Sequence, residues 1–195
     1  SKAIHLRIVS PNVTNLSLID LPGLTAVACT DRGQPKDIKN RLEKMVGSFI
    51  DDENTLILGI IAGRSDLEAD MGLELVKKYD PHGSRTVGVL TKLDLMNDPN
   101  DIVKYLEGKI SKDLQLNHGY FAVRNRNQNE KNTLSVEEGL DQEKQFFNKQ
   151  PQLGKKTISS QVGIPSLKAY LAHLLTNAIK VSLPRLQAKI SSELN

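Results

Sequence analysis

The strongest constraint on the fold is a pair of continuous apolar runs, residues 55–62 and 86–90, with a helix-like segment between them. A strand with one wet face alternates apolar and polar residues. A run without alternation belongs to a strand covered on both faces, as in a parallel sheet. Parallel neighbours cannot be joined by a tight turn, so each pair needs a crossover, usually a helix. Residues 66–79 supply one, and Asp80-Pro81-His82-Gly83 stops it. A short helix is expected over 101–108 and a strand over 120–123. Upstream, residues 37–50 place Ile38, Leu42, Met45, Val46 and Phe49 on one stripe and read as an amphipathic helix. Residues 4–9 alternate like a half-buried edge strand. Ser10-Pro11-Asn12 turns the chain, and residues 16–19 read as a second strand, antiparallel to the first. Strand and helix alternate along the chain, so the expected fold is α/β with a doubly wound, mostly parallel sheet.

Toward the carboxyl end, residues 127–132 read as polar loop. Ser135 caps a helix running to Asn148, with Glu138 three residues on as in a capping box. Residues 165–183 read as one long helix, with Leu167, Leu171, Leu174, Leu175, Ala178 and Ile179 at helical spacing. Pro184, with no N–H and a ring that clashes with the preceding turn, is expected to break or kink it. Beyond it, Leu183, Leu186, Ile190 and Leu194 form an apolar seam. So short an amphipathic piece is marginal alone and is expected to pack on helices from elsewhere. The expected division is therefore a domain over 1–183 and the start of an adjoining helical bundle over 184–195.

Composition narrows the class without deciding it. Hydrophobic residues make up 38% of the 195 positions, enough for a core, and the net charge is +3. An excess of 26 basic over 23 acidic residues is too small to argue for nucleic-acid or membrane binding. The single cysteine, Cys29, excludes an internal disulfide framework and fits a reducing compartment. No apolar stretch approaches the length of a membrane span.

Chemistry enters at the ends of the apolar runs. Thr91-Lys92-Leu93-Asp94 follows the strand over 86–90. A carboxylate there can accept from guanine's N1–H and exocyclic amine while the lysine stem lies along the ring face. Adenine offers no such donor pair, and a buried unpaired carboxylate rejects it. The second landmark, Asp20-Leu21-Pro22-Gly23, follows the strand-like run 16–19. Asp20 suits a water held on Mg²⁺, the role of the Walker-B acid. Gly23 lets backbone approach a γ-phosphate. Asp-x-Pro-Gly alone reads first as a plain turn. Both motifs in this order, each closing an apolar strand, indicate guanine-nucleotide machinery. At the end of the strand over 120–123 stands Arg124-Asn125-Arg126-Asn127. Strand carboxyl ends line the ligand crevice of open α/β sheets, so Asn125 could complete the base pocket and Arg126 border the base or ribose. A polar surface turn is the alternative.

Together these strings resemble the dynamin superfamily of large GTPases. The residues that carry the resemblance are Ser10-Pro11-Asn12-Val13, then Leu18-Ile19-Asp20-Leu21-Pro22-Gly23-Leu24-Thr25, Ile57-Leu58 and Ser65-Asp66-Leu67. They continue through the long string from Asp80 to Met96, Gly119-Tyr120-Phe121-Ala122-Val123 and Leu183-Pro184. The resemblance implies a GTPase domain binding GTP/GDP with Mg²⁺, and self-association across the nucleotide face. It also implies a cytoplasmic protein peripherally associated with membranes through other parts of its chain, remodelling them by fission or fusion. It makes Pro184 the hinge to a helical bundle.

The departures are specific. No G-x-x-x-x-G-K-[ST] phosphate cradle occurs in these 195 residues; Gly154-Lys155-Lys156-Thr157 carries an extra lysine, lacks the first glycine and reads as loop. The family's switch I threonine would lie upstream of Ser1, so the chain looks like the domain with its first part removed. Asn97 stands where many members carry an aspartate, Glu74 where a lysine is common, and Leu24, not glutamine, follows Gly23. Two classes remain: the base-binding part of a mechanochemical GTPase, inactive alone, or a non-catalytic assembly module on a GTPase-like scaffold.

Overall fold

A computed structural model of the chain describes residues 3–11, 16–63, 67–95 and 98–193. Among them, β1 (Ile57–Ala62), β2 (Thr86–Thr91) and β3 (Tyr120–Ala122) form a parallel sheet in the order β1-β2-β3. The register pairs Ile57 with Thr86, Ala62 with Thr91 and Leu90 with Ala122. The expected α/β architecture and parallel sheet are thus present. The reversal of strand order that makes a sheet doubly wound does not occur among the described strands.

Strand parity divides the side chains between two faces. Ile61, Leu90, Tyr120 and Ala122 point into the main core. Leu73 of α2 (Met71–Tyr79), Ile102, Val103 and Leu106 of α3 (Pro99–Leu106) and Phe147 of α5 (Val136–Asn148) cover them. On the other face lie Val87, Val89 and Phe121. Tyr170 of α6 (Ile164–Glu193) rests on Phe121 with ring centroids 4.9 Å apart. The Tyr170 hydroxyl meets His118 Nδ1 at 2.9 Å, and His118 Nε2 meets the Ser84 carbonyl at 2.9 Å. A second, smaller core joins Ile50, at the end of α1 (Ile38–Ile50), to Ile57, Leu75 and Val76.

Gly88, mid-strand in β2, lies under the ring of buried Tyr120, where an added Cβ would overlap the ring carbons. Tyr120 has no room to move, because its hydroxyl donates to the Leu114 carbonyl at 2.5 Å. Gly88→Ala is expected to destabilise the fold by about 1–3 kcal/mol through overpacking. A urea midpoint within experimental error of the unsubstituted chain would contradict that close fit.

Four expectations need correction. Residues 4–9 and 16–19 are not strands. Ile4, Leu6, Ile8, Leu18 and Ile19 are all exposed, and these segments pair with nothing in the described sheet. Alternation states which face a strand would bury; the hydrogen bonds must come from a partner, and an isolated two-stranded hairpin is marginal in water. The turn between them falls partly outside the described residues. The helix expected from 66 begins instead with a 3-10 turn at Leu67–Ala69, and α2 starts after Asp70, whose carboxylate accepts from Leu73 N–H at 2.9 Å. Residue 66 itself is outside the described set. The polar loop after Arg126 is a helix, α4 (Gln128–Thr133). It lacks an apolar stripe and forms through its cap: the Asn127 side chain accepts from Asn129 and Glu130 N–H, and the Glu130 carboxylate returns to Asn127 N–H.

The fourth correction is at Pro184: of the break or kink expected there, the break does not occur, since α6 continues to Glu193. Pro184 removes the hydrogen bond to the Lys180 carbonyl, but both residues are exposed, so water can satisfy the freed oxygen. Ile179, Val181, Leu183 and Ile190 of this stretch are exposed; Leu194 lies outside the described residues.

Candidate functional site

All three strands end at one edge. The Gly63 N–H donates to the Thr91 carbonyl at 2.6 Å and Val123 N–H to the Leu90 carbonyl at 2.9 Å, so the carboxyl ends of β1, β2 and β3 are level within about a residue. The Thr91 hydroxyl also donates to the Ile61 carbonyl at 3.2 Å, tying β2 to β1 where the motif begins. Lys92 then takes φ +55°, the one positive φ of a residue other than glycine among those described. That left-handed turn costs an ordinary side chain on the order of 1–2 kcal/mol. It swings the chain off the strand into a 3-10 turn at Leu93–Leu95, closed by Leu95 N–H on the Lys92 carbonyl at 3.0 Å. Leu93 drops into the main core, 3% exposed, while Lys92 and Asp94 on either side stay in solvent. An anchored leucine flanked by an exposed cation and an exposed carboxylate can receive a flat base between them.

Beside it, the end of β3 is held from behind. The Arg124 N–H donates to Glu143 Oε1 of α5 at 2.8 Å, and Glu143 Oε2 accepts from Ile164 N–H, at the start of α6, at 2.8 Å. Glu143 is 2% exposed, and that burial raises its carboxyl above the ordinary carboxylate range, against both N–H bonds and the nearby Arg124 charge. The Arg124 guanidinium donates to Glu130 Oε1 at 2.6 Å and holds that carboxyl below its usual range. Arg126, expected at the base or ribose, is half-buried, with Nη1 donating to the Leu134 carbonyl at 2.5 Å. Asn125 is exposed, with no side-chain hydrogen bond to another described residue. Glu130 and Glu143, which hold this run, were not singled out from sequence. The signal for Glu130 was its place three residues after Asn127, as in a capping box, and for Glu143 only the four-residue helical spacing that sets it on the same stripe as Gly139.

The phosphate-side residues are not gathered with these. Asp20 and Gly23 are exposed, and no hydrogen bond or ion pair among the described residues joins them to 91–94. Leu24 packs on the smaller core with Ile50 and Ile57, at the amino end of β1. Six strand residues at about 3.3 Å each separate that end from the Thr91 edge. No group of three or more His, Cys, Asp or Glu side chains suited to a metal occurs among the described residues. Lys92 and Asp94 offer an exposed cation and an exposed carboxylate on either side of buried Leu93. The described residues do not make a complete Mg²⁺ site. The string Gly154-Lys155-Lys156-Thr157 begins on the last residue of a 3-10 turn, Pro151–Gly154, with Lys155 Nζ 3.8 Å from Glu107, and forms no strand–helix cradle. Asn97 is outside the described residues.

Sequence comparison supplies the relationship. The family model described as "Dynamin family" matches residues 1–93, and "Dynamin central region" matches residues 101–195. The chain belongs to the dynamin superfamily. It is 42% identical over 192 residues to dynamin-2 of Bos taurus, covering 98% of this chain and 21% of that protein. Dynamin of Drosophila melanogaster is 40% identical over 192 residues, with 98% and 21% covered. Vacuolar protein sorting-associated protein 1 of Schizosaccharomyces pombe is 39% identical over 195 residues, the whole of this chain and 28% of that relative. The chain thus spans between about a fifth and a third of these dynamin relatives. The first match ends within Thr91-Lys92-Leu93-Asp94, and the second takes in Arg124 to Arg126 and all of α6. No described helix is long and apolar enough to cross a membrane.

Proposed function

We propose that this chain carries the base-reading part of a dynamin-type GTPase that works in membrane remodelling. The observation that supports it most is the carboxyl edge of the sheet, where Leu93 anchors an exposed Lys92–Asp94 pair beside exposed Asn125. In this reading Asp94 accepts from the guanine edge, Lys92 covers a ring face, Thr91 braces the loop and Asn125 closes the pocket. Arg126 borders it from its anchored position. Asp20 and Gly23 would lie on the phosphate side in the full-length protein, and Asp20 would hold a water of Mg²⁺ if the metal binds there. Bound Mg²⁺ would neutralise charge building on the phosphates. Residues 1–183 form the GTPase-domain portion, and 184–195 begin an adjoining helical bundle. Self-association across the nucleotide face and a peripheral, cytoplasmic location on membranes belong to the same proposal. Direct competition tests it: GTP should displace a labelled guanine nucleotide from the full-length protein at far lower concentration than ATP. Equal potency would overturn it.

The 195-residue polypeptide by itself is expected not to release phosphate from GTP above a buffer control. Phosphoryl transfer needs a β/γ-phosphate cradle, its lysine and a metal held on two sides. These residues contain no such cradle, and the described ones gather no metal-ligand set. Steady release from the purified polypeptide, abolished by Asp20→Ala, would count against this and against the alternative of a non-catalytic assembly module.

A further inference from the structure

We propose that one face of α5, made by Gly139, Glu143 and Phe146, positions the candidate base site, with Glu143 as its positioning residue. This rests on the reading of residues 91–94 and 124–126 as that site. The three residues stand at helical spacings of four and three, so they share a stripe. Each meets a different part of the run after β3. Glu143 takes the Arg124 N–H at 2.8 Å. Phe146 lies under the Arg124 guanidinium, 5.9 Å from its ring centroid. Gly139 lies under the Arg126 stem, where an added Cβ would sit 2.7 Å from Cγ and 2.8 Å from Cδ.

Arg126 then reaches the Leu134 carbonyl just before the Ser135 cap of α5, and Glu130 secures both ends of the run through Arg124 Nη2 and Asn127 N–H. Arg124, Arg126 and Asn127 are therefore all fixed from behind, and Asn125 is the member left exposed, three residues beyond the end of β3, the strand that pairs with β2. A glycine inside a helix costs about 1 kcal/mol relative to alanine. Gly139 occupies such a position and is buried, so the close approach of Arg126, rather than helix stability, accounts for it. Glu143 adds reach: its second oxygen holds Ile164 N–H, so the same carboxylate sets β3's end against the start of α6.

The test uses the full-length protein, with binding of a fluorescent GDP and nucleotide-free thermal melting measured on each variant. Gly139→Ala should weaken GDP binding at least fivefold, well beyond what any fall in its melting temperature accounts for, because the added Cβ displaces the Arg126 stem while alanine favours the helix. A merely structural glycine would not produce that excess loss. Glu143→Gln should also weaken binding at least fivefold, since an amide cannot accept from both backbone N–H groups. Unchanged GDP affinity in both variants, with Asp94→Asn still losing guanine binding, would overturn the positioning role alone. Affinity lost only in step with a fallen melting temperature would overturn it too. If Asp94→Asn left GDP binding intact, the base-site reading itself would fall, and this proposal with it.

Discussion

Replacing Asp94 by asparagine is expected to cost the full-length protein at least about a hundredfold in GTP affinity and to raise its affinity for xanthosine triphosphate. A site built around a hydrogen-bonded donor edge loses heavily when that pairing fails, because a partner is left unsatisfied on each side. The carboxylate accepts from guanine's N1–H and amine. An amide keeps one acceptor and turns a donor toward the other position, which suits the oxygen that xanthine carries there. The substitution should cost little stability, since Asp94 is exposed and the loop is held by buried Leu93. Paired titrations with the two triphosphates provide the measurement. An unchanged preference for GTP, in a variant that melts normally, would remove Asp94 from the base site.

The largest stability effect is expected at Asp80, well away from the site. Asp80 is 4% exposed and accepts four hydrogen bonds: from the Ser84 N–H at 2.9 Å, the Ser84 hydroxyl and Arg85 N–H at 3.0 Å, and the Thr86 hydroxyl at 2.6 Å. Arg85 in turn donates to the carbonyls of Thr55 and Tyr79, closing the turn against the starts of β1 and β2. Asp80→Ala leaves several buried donors unsatisfied at about 1–3 kcal/mol each and should destabilise the fold by about 3–5 kcal/mol. Asp80→Asn, with one oxygen left, should cost roughly half as much.

The pH dependence gives a second readout. Burial alone would raise the Asp80 carboxyl, but the bonds from Thr86, Arg85 and Ser84 outweigh it and hold the group below its ordinary 3.8. A carboxyl lowered in the fold contributes stability that is present above the unfolded value and lost as pH falls through the folded one. Glu143 has the opposite sign: raised by burial, its contribution is present below 4.5 and lost as pH rises through the folded value. Denaturant unfolding of Asp80→Asn at pH 7 and pH 3 should therefore differ less than in the unsubstituted chain. An equal acid loss in both proteins would mean that Asp80 does not carry this part of the acid response.

Local patterns carried far here because several elements are specified locally. The unbroken apolar runs that became β1 and β2, the stripe of α1 and the Ser135–Glu138 capping box depend on residues a few positions apart. So does the presence of Thr91-Lys92-Leu93-Asp94 at the end of an apolar strand. Residues 4–9 show the limit. They carry a strand's alternation, yet a strand needs hydrogen bonds from another segment, and none of the described strands supplies them. Residues 128–133 show the converse, a helix without apolar periodicity that is held by two reciprocal cap bonds.

By itself, then, the sequence determined the α/β class, the family and the place of Thr91-Lys92-Leu93-Asp94 after an apolar strand, because composition, period and motif are properties of neighbours along the chain. Tertiary structure alone decided that β1, β2 and β3 end level, that Leu93 is the anchor between Lys92 and Asp94, and that Arg126 is held on the Leu134 carbonyl while Asn125 stays open. It also decided that a glutamate in the middle of α5 would be buried, gripping two backbone N–H groups 40 residues apart in sequence. Register, burial and the partners of a buried charge are set by which distant segments pack together, and no local spacing encodes that.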